Sequence, residues 1–180
     1  MITKCEFSHL GGSEILQKKY PDQNEEINKI IERVIGEKSK ICEEKNRKGQ
    51  EIYSPTAFRT EFKEYFEENN YDVLIDRFTF NSCDNSKVKG YKKIDYYKNK
   101  VGIQVQFGKY SFMTYDMAKF QYLYNQNKID IGVEILPSHR LQKSMSSGMA
   151  YGELLINDLK ILKKHFPVVP IKVIVVDVEK

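Results

Sequence analysis

One aspartate and two glutamines carry the strongest chemical signal in this chain of 180 residues. In the segment 94–107, IDYYKNKVGIQVQF, Asp95 precedes a turn at 98–100, and Gln104 and Gln106 follow it. The pattern predicts a β-hairpin with the acid on one strand and both amides on the other. Residues two apart on a strand share a face, so positions 104 and 106 point one way while Ile103, Val105 and Phe107 point to a core. Three oxygen-bearing groups then converge in a manner that suits a hard cation such as Mg²⁺. The same alternation also describes the solvated face of an edge hairpin, so the segment alone leaves both readings open.

The elements that must position these groups follow from periodicity and punctuation. Residues 1–8 suit an edge strand, and a short helical pattern begins at Ser13. Pro21 opens a helix over 22–36 with Ile27, Ile30, Ile31, Val34 and Ile35 on one face. The charged stretch 36–51 reads as an exposed helix end running into a loop. Ser54 and Pro55 form a cap and first turn for a helix over 55–68, whose buried stripe is Phe58, Phe62, Tyr65 and Phe66. Residues 71–80 suit a strand and 81–90 a polar loop ahead of the hairpin. A helix over 113–126 turns Met113, Met117, Phe120, Leu123 and Tyr124 inward. The apolar run 129–136 suits a strand covered on both faces, 137–148 a polar loop, 149–164 a helix and 171–178 a last strand. Strands and helices alternate in the second half. The expectation is a single α/β domain over 1–180, with a central mixed β-sheet flanked by helices.

Bulk composition narrows the classes. The chain is 41% hydrophobic and 30% charged, which suits a globular protein and is too apolar for a disordered one. Its net charge of +4 permits a polyanionic partner without requiring one. Cys5, Cys42 and Cys83 are widely spaced, and His9, His139 and His165 are scattered, so neither a zinc site nor a disulfide framework is expected. No apolar run is long enough to span a membrane, and the first residues lack a secretory pattern. The expectation is a soluble, cytoplasmic protein with no membrane partner. No G-x-G-x-x-G motif or P-loop points to a nucleotide enzyme.

An aspartate, a turn and then an apolar-acid-x-polar strand is the layout of PD-(D/E)xK nucleases. Residues 92–112, KKIDYYKNKVGIQVQFGKYSF, resemble the catalytic hairpin of BglII- and BstYI-type restriction endonucleases, in which glutamine replaces the usual lysine. FSHLGGSEIL, EIYSPTAF, KIDIGVEILP and LQKSMSSG resemble further segments of those enzymes, in the same order and most closely the BstYI type. The resemblance implies a restriction-endonuclease-like fold and Mg²⁺-dependent hydrolysis of a phosphodiester. It makes Asp95 a metal ligand, places Gln104 at the second acidic ligand and offers the Val105 carbonyl as a third. Gln106 would position the attacking water or help to hold the metal. Position 104 departs from the pattern, which calls for glutamate. An amide there is a weaker ligand and cannot act as a base, so this chain is expected to bind DNA and cleave it poorly. An introduced substitution and a naturally inactive DNA-binding relative both account for it. Asn70 and Glu61 are accessory candidates, each also readable as a plain surface residue.

Lys109 follows the hairpin, where it could reach guanine edges, contact phosphate or stay solvated. The loop 138–148 contains Arg140, Lys143, Ser146 and Ser147, which could follow a DNA groove; alternatively Ser146 or Ser147 caps the next helix. The basic runs 87–93 and 98–100 read either as sources of nonspecific phosphate affinity or as solvated loop. The resemblance also implies a homodimer on duplex DNA with a palindromic, GATC-centred site, since a two-fold site is matched by a two-fold pair. The helix carrying Met113, Met117 and Phe120 is either a dimer contact or a core stripe.

Overall fold

The computed structural model describes residues 1–179. A six-stranded sheet has the order β1-β8-β7-β6-β5-β4, formed by β1 (Ile2–His9), β4 (Asp72–Asn81), β5 (Lys87–Lys98), β6 (Val101–Val105), β7 (Ile131–Pro137) and β8 (Ile171–Asp177). A separate two-stranded sheet pairs β2 (Lys38–Ile41) with β3 (Glu51–Tyr53). Strands β6, β7 and β8 run parallel, while β1–β8, β4–β5 and β5–β6 are antiparallel, so the sheet is mixed as expected. No helix among the described residues is long and apolar enough to cross a membrane.

Helices cover both faces. On one, α1 (Gly12–Lys19), α2 (Pro21–Arg33) and α3 (Pro55–Glu68) pack on Ile103, Val105, Ile131, Val133 and Ile135. On the other, α4 (Tyr110–Asn125) and α6 (Gly152–Leu162) pack on Ile94, Leu136, Ile171, Val173 and Val175. A short helix, α5 (His139–Lys143), follows β7. Close packing of α4 on β7 depends on Gly132, where an added Cβ would come 2.7 Å from the Phe120 ring.

The helix α3 is held by aromatic contacts as well as by its Ser54 cap, whose hydroxyl accepts from the Ala57 N–H at 3.4 Å. Phe107 meets Phe58 at 5.0 Å and Phe62 at 6.0 Å between ring centroids, and Phe66 stacks on Tyr96 at 4.2 Å. Tyr96 adjoins Asp95, so this stack fixes the distance from α3 to the hairpin. Rings in such offset or tilted pairs add attraction beyond the area they bury.

Several expectations change. The stretch 36–51 is the β2–β3 hairpin, pinned from a distance: the Tyr53 N–H donates to Ser144 O at 2.9 Å, and Arg47 donates to the Lys143 and Met145 carbonyls at 2.7 and 2.8 Å. Helix α2 ends at Arg33, and Ile35 is exposed rather than on the buried stripe. The cause is Gly36, which turns the chain at φ +68 and lies where a Cβ would come 2.0 Å from the Phe58 ring. Residues 87–90 belong to β5 rather than to a loop. Met113, Met117 and Phe120 are core residues, so the dimer reading of that stripe is withdrawn. Tyr110, Phe112 and Tyr115 form the exposed side of α4.

Phe62 is fully buried in the aromatic stack. Phe62→Ala is expected to cost about 3–5 kcal/mol of stability through lost burial and the cavity left behind. Urea unfolding followed by circular dichroism measures it.

Candidate active site

Strands β5 and β6 are joined by a two-residue turn with Asn99 at φ 48 and Lys100 at φ 70, the positive-φ pair that matches strand twist. Their ladder runs only from Lys98↔Val101 to Tyr96↔Ile103. Beyond it β5 follows β4 and parts from β6; the β4–β5 register shifts between Asp72 and Leu74. Asp95 sits where the strands part. The Gln104 side chain spans the gap, its Oε1 accepting from the Asp95 N–H at 2.6 Å.

The other end of that amide faces α4. Gln104 Nε2 donates to Asp116 Oδ1 at 3.0 Å, and Gln106 Nε2 donates to Asp116 Oδ2. Gln106 Oε1 in turn accepts from the Gly108 N–H at 2.9 Å. Both glutamines therefore lie on one face, as the alternation predicts, but that face is covered by α4: Gln104 is 4% exposed. The solvated-strand reading fails for Gln104. Its amide meets the backbone of Asp95, not the carboxylate.

Asp116 is 1% exposed and also forms an ion pair with Lys119 at 2.6 Å. Glu134 lies opposite Gln104 in the β6–β7 register and is wholly buried. Burial, and then the negative charge of Asp116, push the Glu134 carboxyl well above the usual range. Neither carboxyl oxygen of Glu134 has a hydrogen-bond partner, and a buried charge without one is costly, so the site favours the neutral acid. Asp116, Lys119 and Glu134 are site residues that sequence reasoning missed.

The Asp95 carboxylate faces an open cleft and pairs with Lys93 at 2.9 Å, with 40% of its side chain exposed. Thr56, Arg59, Thr60 and Lys63 of α3, with Tyr96 and Val105, line the cleft around it. Val105 thus lines the same cleft as Asp95. Arg59 and Lys63, unremarked in the sequence, bring two cations to the acid.

Neither accessory candidate reaches the cleft. Asn70 is an exposed turn residue at φ 58 closing α3, its N–H donating to Glu67 O at 3.0 Å. Glu61 accepts from the Ile35 N–H at 2.9 Å and ties α3 to the end of α2.

Lys109 and the 146–148 segment are brought together. Lys109 Nζ donates to Ser147 O at 2.8 Å, and the Tyr110 N–H donates to Gly148 O at 3.2 Å. Ser146 and Ser147 do not cap the next helix, whose N-cap is Tyr151 without a side-chain bond. Instead Lys40 reaches Ser146 at 3.3 Å, and the Ser147 N–H donates to Glu44 at 2.6 Å. Lys143 is exposed. Arg140 is committed elsewhere: it grips Asp177 at 2.9 and 2.6 Å and the Val178 carbonyl at 2.5 Å. Burial raises the Asp177 carboxyl, but Arg140, Ser138 and the Val178 N–H outweigh it and hold the group low.

No cluster of three or more His, Cys, Asp or Glu side chains among the described residues is arranged to hold a metal. Asp116 and Glu134 are closed off in the core, so Asp95 is the carboxylate that faces the cleft. Mg²⁺ keeps several waters and is commonly held by one or two carboxylates plus a substrate phosphate. The donors fit a cation held by Asp95 and a phosphate together.

Glu134 gives a signed pH dependence. Its folded-state pKa is raised, so the stability it contributes is full below pH ~4.5 and is lost as pH climbs towards the folded value. Glu134→Gln removes that slope. The variant should gain stability over wild type progressively as pH rises above about 4.5, as read by urea midpoints over a pH series.

Known proteins resemble the chain in fold and in sequence family. No curated protein matches the chain. A BglII structure complexed with a DNA 16-mer superposes with a TM-score of 0.76 at 17% identity, covering 97% of this chain and 78% of that one. Free BglII gives 0.68 at 15% identity, covering 97% and 79%. These likenesses establish the fold. Residues 5–176 match the family described as Restriction endonuclease BglII/BglIII, and the chain belongs to that family.

Proposed function

We propose that the protein is a type II restriction endonuclease that binds a short palindromic, GATC-centred duplex as a homodimer. It hydrolyses phosphodiesters with Mg²⁺, and Gln104 impairs that cleavage. The observation that carries the impairment is the full engagement of the Gln104 amide. Its oxygen holds the Asp95 backbone and its nitrogen holds Asp116, leaving one carboxylate at the cleft.

Each group in the cleft has a role in this reading. Asp95 and the Val105 carbonyl would hold the cation; Arg59 and Lys63 would draw in the scissile phosphate. Gln104 and Gln106 act as positioning residues, since they keep β5, β6 and the start of α4 in fixed relation. A Mg²⁺ ion bound there supplies a polarised water and neutralises charge growing on the phosphate. Water adds to phosphorus, the bond to one ester oxygen breaks, and the departing oxygen takes up a proton. Lys109, Lys143, Ser146 and Ser147 form the DNA-reading edge, with base contacts from the first and the serines and phosphate contact from Lys143. Arg140 serves this edge by anchoring α5 through Asp177.

A second reading, a naturally inactive DNA-binding relative, is favoured by the polarity of the same network. Asp116 needs donors, and an amide at position 104 provides one. A glutamate there would set a third carboxyl beside Asp116 and Glu134 with only Lys119 opposite, and would need a cation to relieve it.

Gln104→Glu separates the readings. For an impaired nuclease, the variant should be less stable than wild type without metal and should regain stability with Mg²⁺. It should also cleave a GATC-bearing plasmid at least about 100-fold faster than wild type, a difference of roughly 3 kcal/mol in barrier. Equal cleavage by both proteins would sink the claim of impairment. A variant that still binds DNA but gains no cleavage would favour the inactive relative.

Lys109→Ala should weaken binding to a GATC duplex by about 1–3 kcal/mol and lower discrimination against a scrambled duplex. Fluorescence anisotropy with both duplexes checks this.

A further inference from the structure

Beyond the cleft, β4 and β5 form a long antiparallel hairpin at the free edge of the sheet, paired from Asp72↔Tyr97 out to Asn81↔Lys87. Register sorts its side chains into two faces. One carries Leu74, Asp76, Phe78, Val88, Lys92 and Ile94, and it is anchored to the body of the protein. Phe78 packs on Tyr122 at 5.5 Å, Lys92 donates to the Tyr115 hydroxyl at 3.1 Å, and Asp76 pairs with Lys128.

The opposite face is exposed and holds the pairs Arg77↔Tyr91, Thr79↔Lys89 and Ile75↔Lys93, with Lys87 at the end. Between Lys87 and Lys93 it has four cations and no acid; Asp76 lies on the anchored face, and Asp84 is turned into the tip by Ser82 and Ser86. Lys93 pairs with Asp95 at the base of the row, while Arg77, Lys87 and Lys89 have no ion partner among the described residues. Alternate strand residues lie ~6.8 Å apart, so the row from Lys87 to Lys93 spans about 20 Å. That equals the axial rise of roughly six nucleotides on one DNA strand. The row ends at Asp95.

We propose that this face of the β4–β5 hairpin is a phosphate-binding arm, laid along the backbone of duplex DNA outside the recognition edge and leading it to the Asp95 cleft. Arg77, Lys87 and Lys89 supply the charge, and Tyr91 supplies a hydroxyl donor between them. The arm is sequence-independent, unlike the edge formed by Lys109 and the serines. The proposal rests on the DNA-binding reading above.

The test compares wild type with an Arg77→Gln/Lys87→Gln/Lys89→Gln variant. Anisotropy is measured on a GATC-bearing and on a scrambled 30-base-pair duplex, titrated from 50 to 200 mM salt, and on labelled polyglutamate. The expected result is equal weakening on both duplexes, about tenfold or more, with the slope of log affinity against log salt shallower by about 2–3. The Lys87→Gln/Lys89→Gln pair at the hairpin end should give a smaller step of the same kind, so the test survives misfolding of the triple variant. Unchanged affinity and slope while wild type binds DNA would overturn the arm alone. A loss confined to the GATC duplex would overturn it by showing base reading. Loss of polyglutamate binding with normal DNA binding would overturn it in favour of an acidic protein. A wild type that binds neither duplex would overturn both the arm and the DNA-binding reading.

Discussion

The Asp116 carboxylate is the interaction on which the site depends. It is closed off from solvent, yet both its oxygens are held: by Gln104 and Lys119 on one side and by Gln106 on the other. A buried carboxylate is tolerated only when cations or donors surround it. Gln104 of β6, Gln106 just after that strand and Lys119 of α4 meet that requirement, so strand and helix cannot shift independently. Gln104 extends the constraint to β5 by accepting from the Asp95 backbone across the gap between strands. The acid facing the cleft is thus placed by the acid beneath it.

Much of this was legible in the sequence. The alternation around Gln104 and Gln106 put them on one face, and the hairpin turn was marked by Asn99 and Lys100. The mixed α/β architecture followed from the order of apolar runs. Asp116 and Lys119 went unseen because a charged residue in an amphipathic helix is ordinarily assigned to solvent. The signal was present nonetheless: Met113, Asp116, Met117 and Phe120 follow the i, i+3, i+4, i+7 spacing of a single face. Asp116 lies within the apolar stripe, not opposite it. Glu134 gave a similar sign as the lone acid in a strand with apolar neighbours on both faces. What no local pattern could show is the pairing of Glu134 with Gln104, since parallel register is set by the whole sheet.

The β2–β3 hairpin was illegible for a different reason. Its charged residues suggest a solvated stretch, and its order comes from contacts with the segment 143–147, about a hundred positions away in sequence. Those contacts place Lys40, Glu44 and Arg47 against the loop that carries Ser146 and Ser147. Together with the grip of Arg140 on Asp177, they make this edge a braced structure. A braced edge loses less conformational freedom when it meets a partner.

The central claim, that the Gln104 amide is a strut to Asp116 and so is spent on structure, is tested most directly by a double-mutant cycle. Urea unfolding of Gln104→Ala, Asp116→Ala and the double variant gives the coupling energy. The account predicts clear non-additivity, on the order of 1–3 kcal/mol, because each residue leaves the other without its partner. Additive losses would contradict it, and would mean that Gln104 is free to serve the cleft.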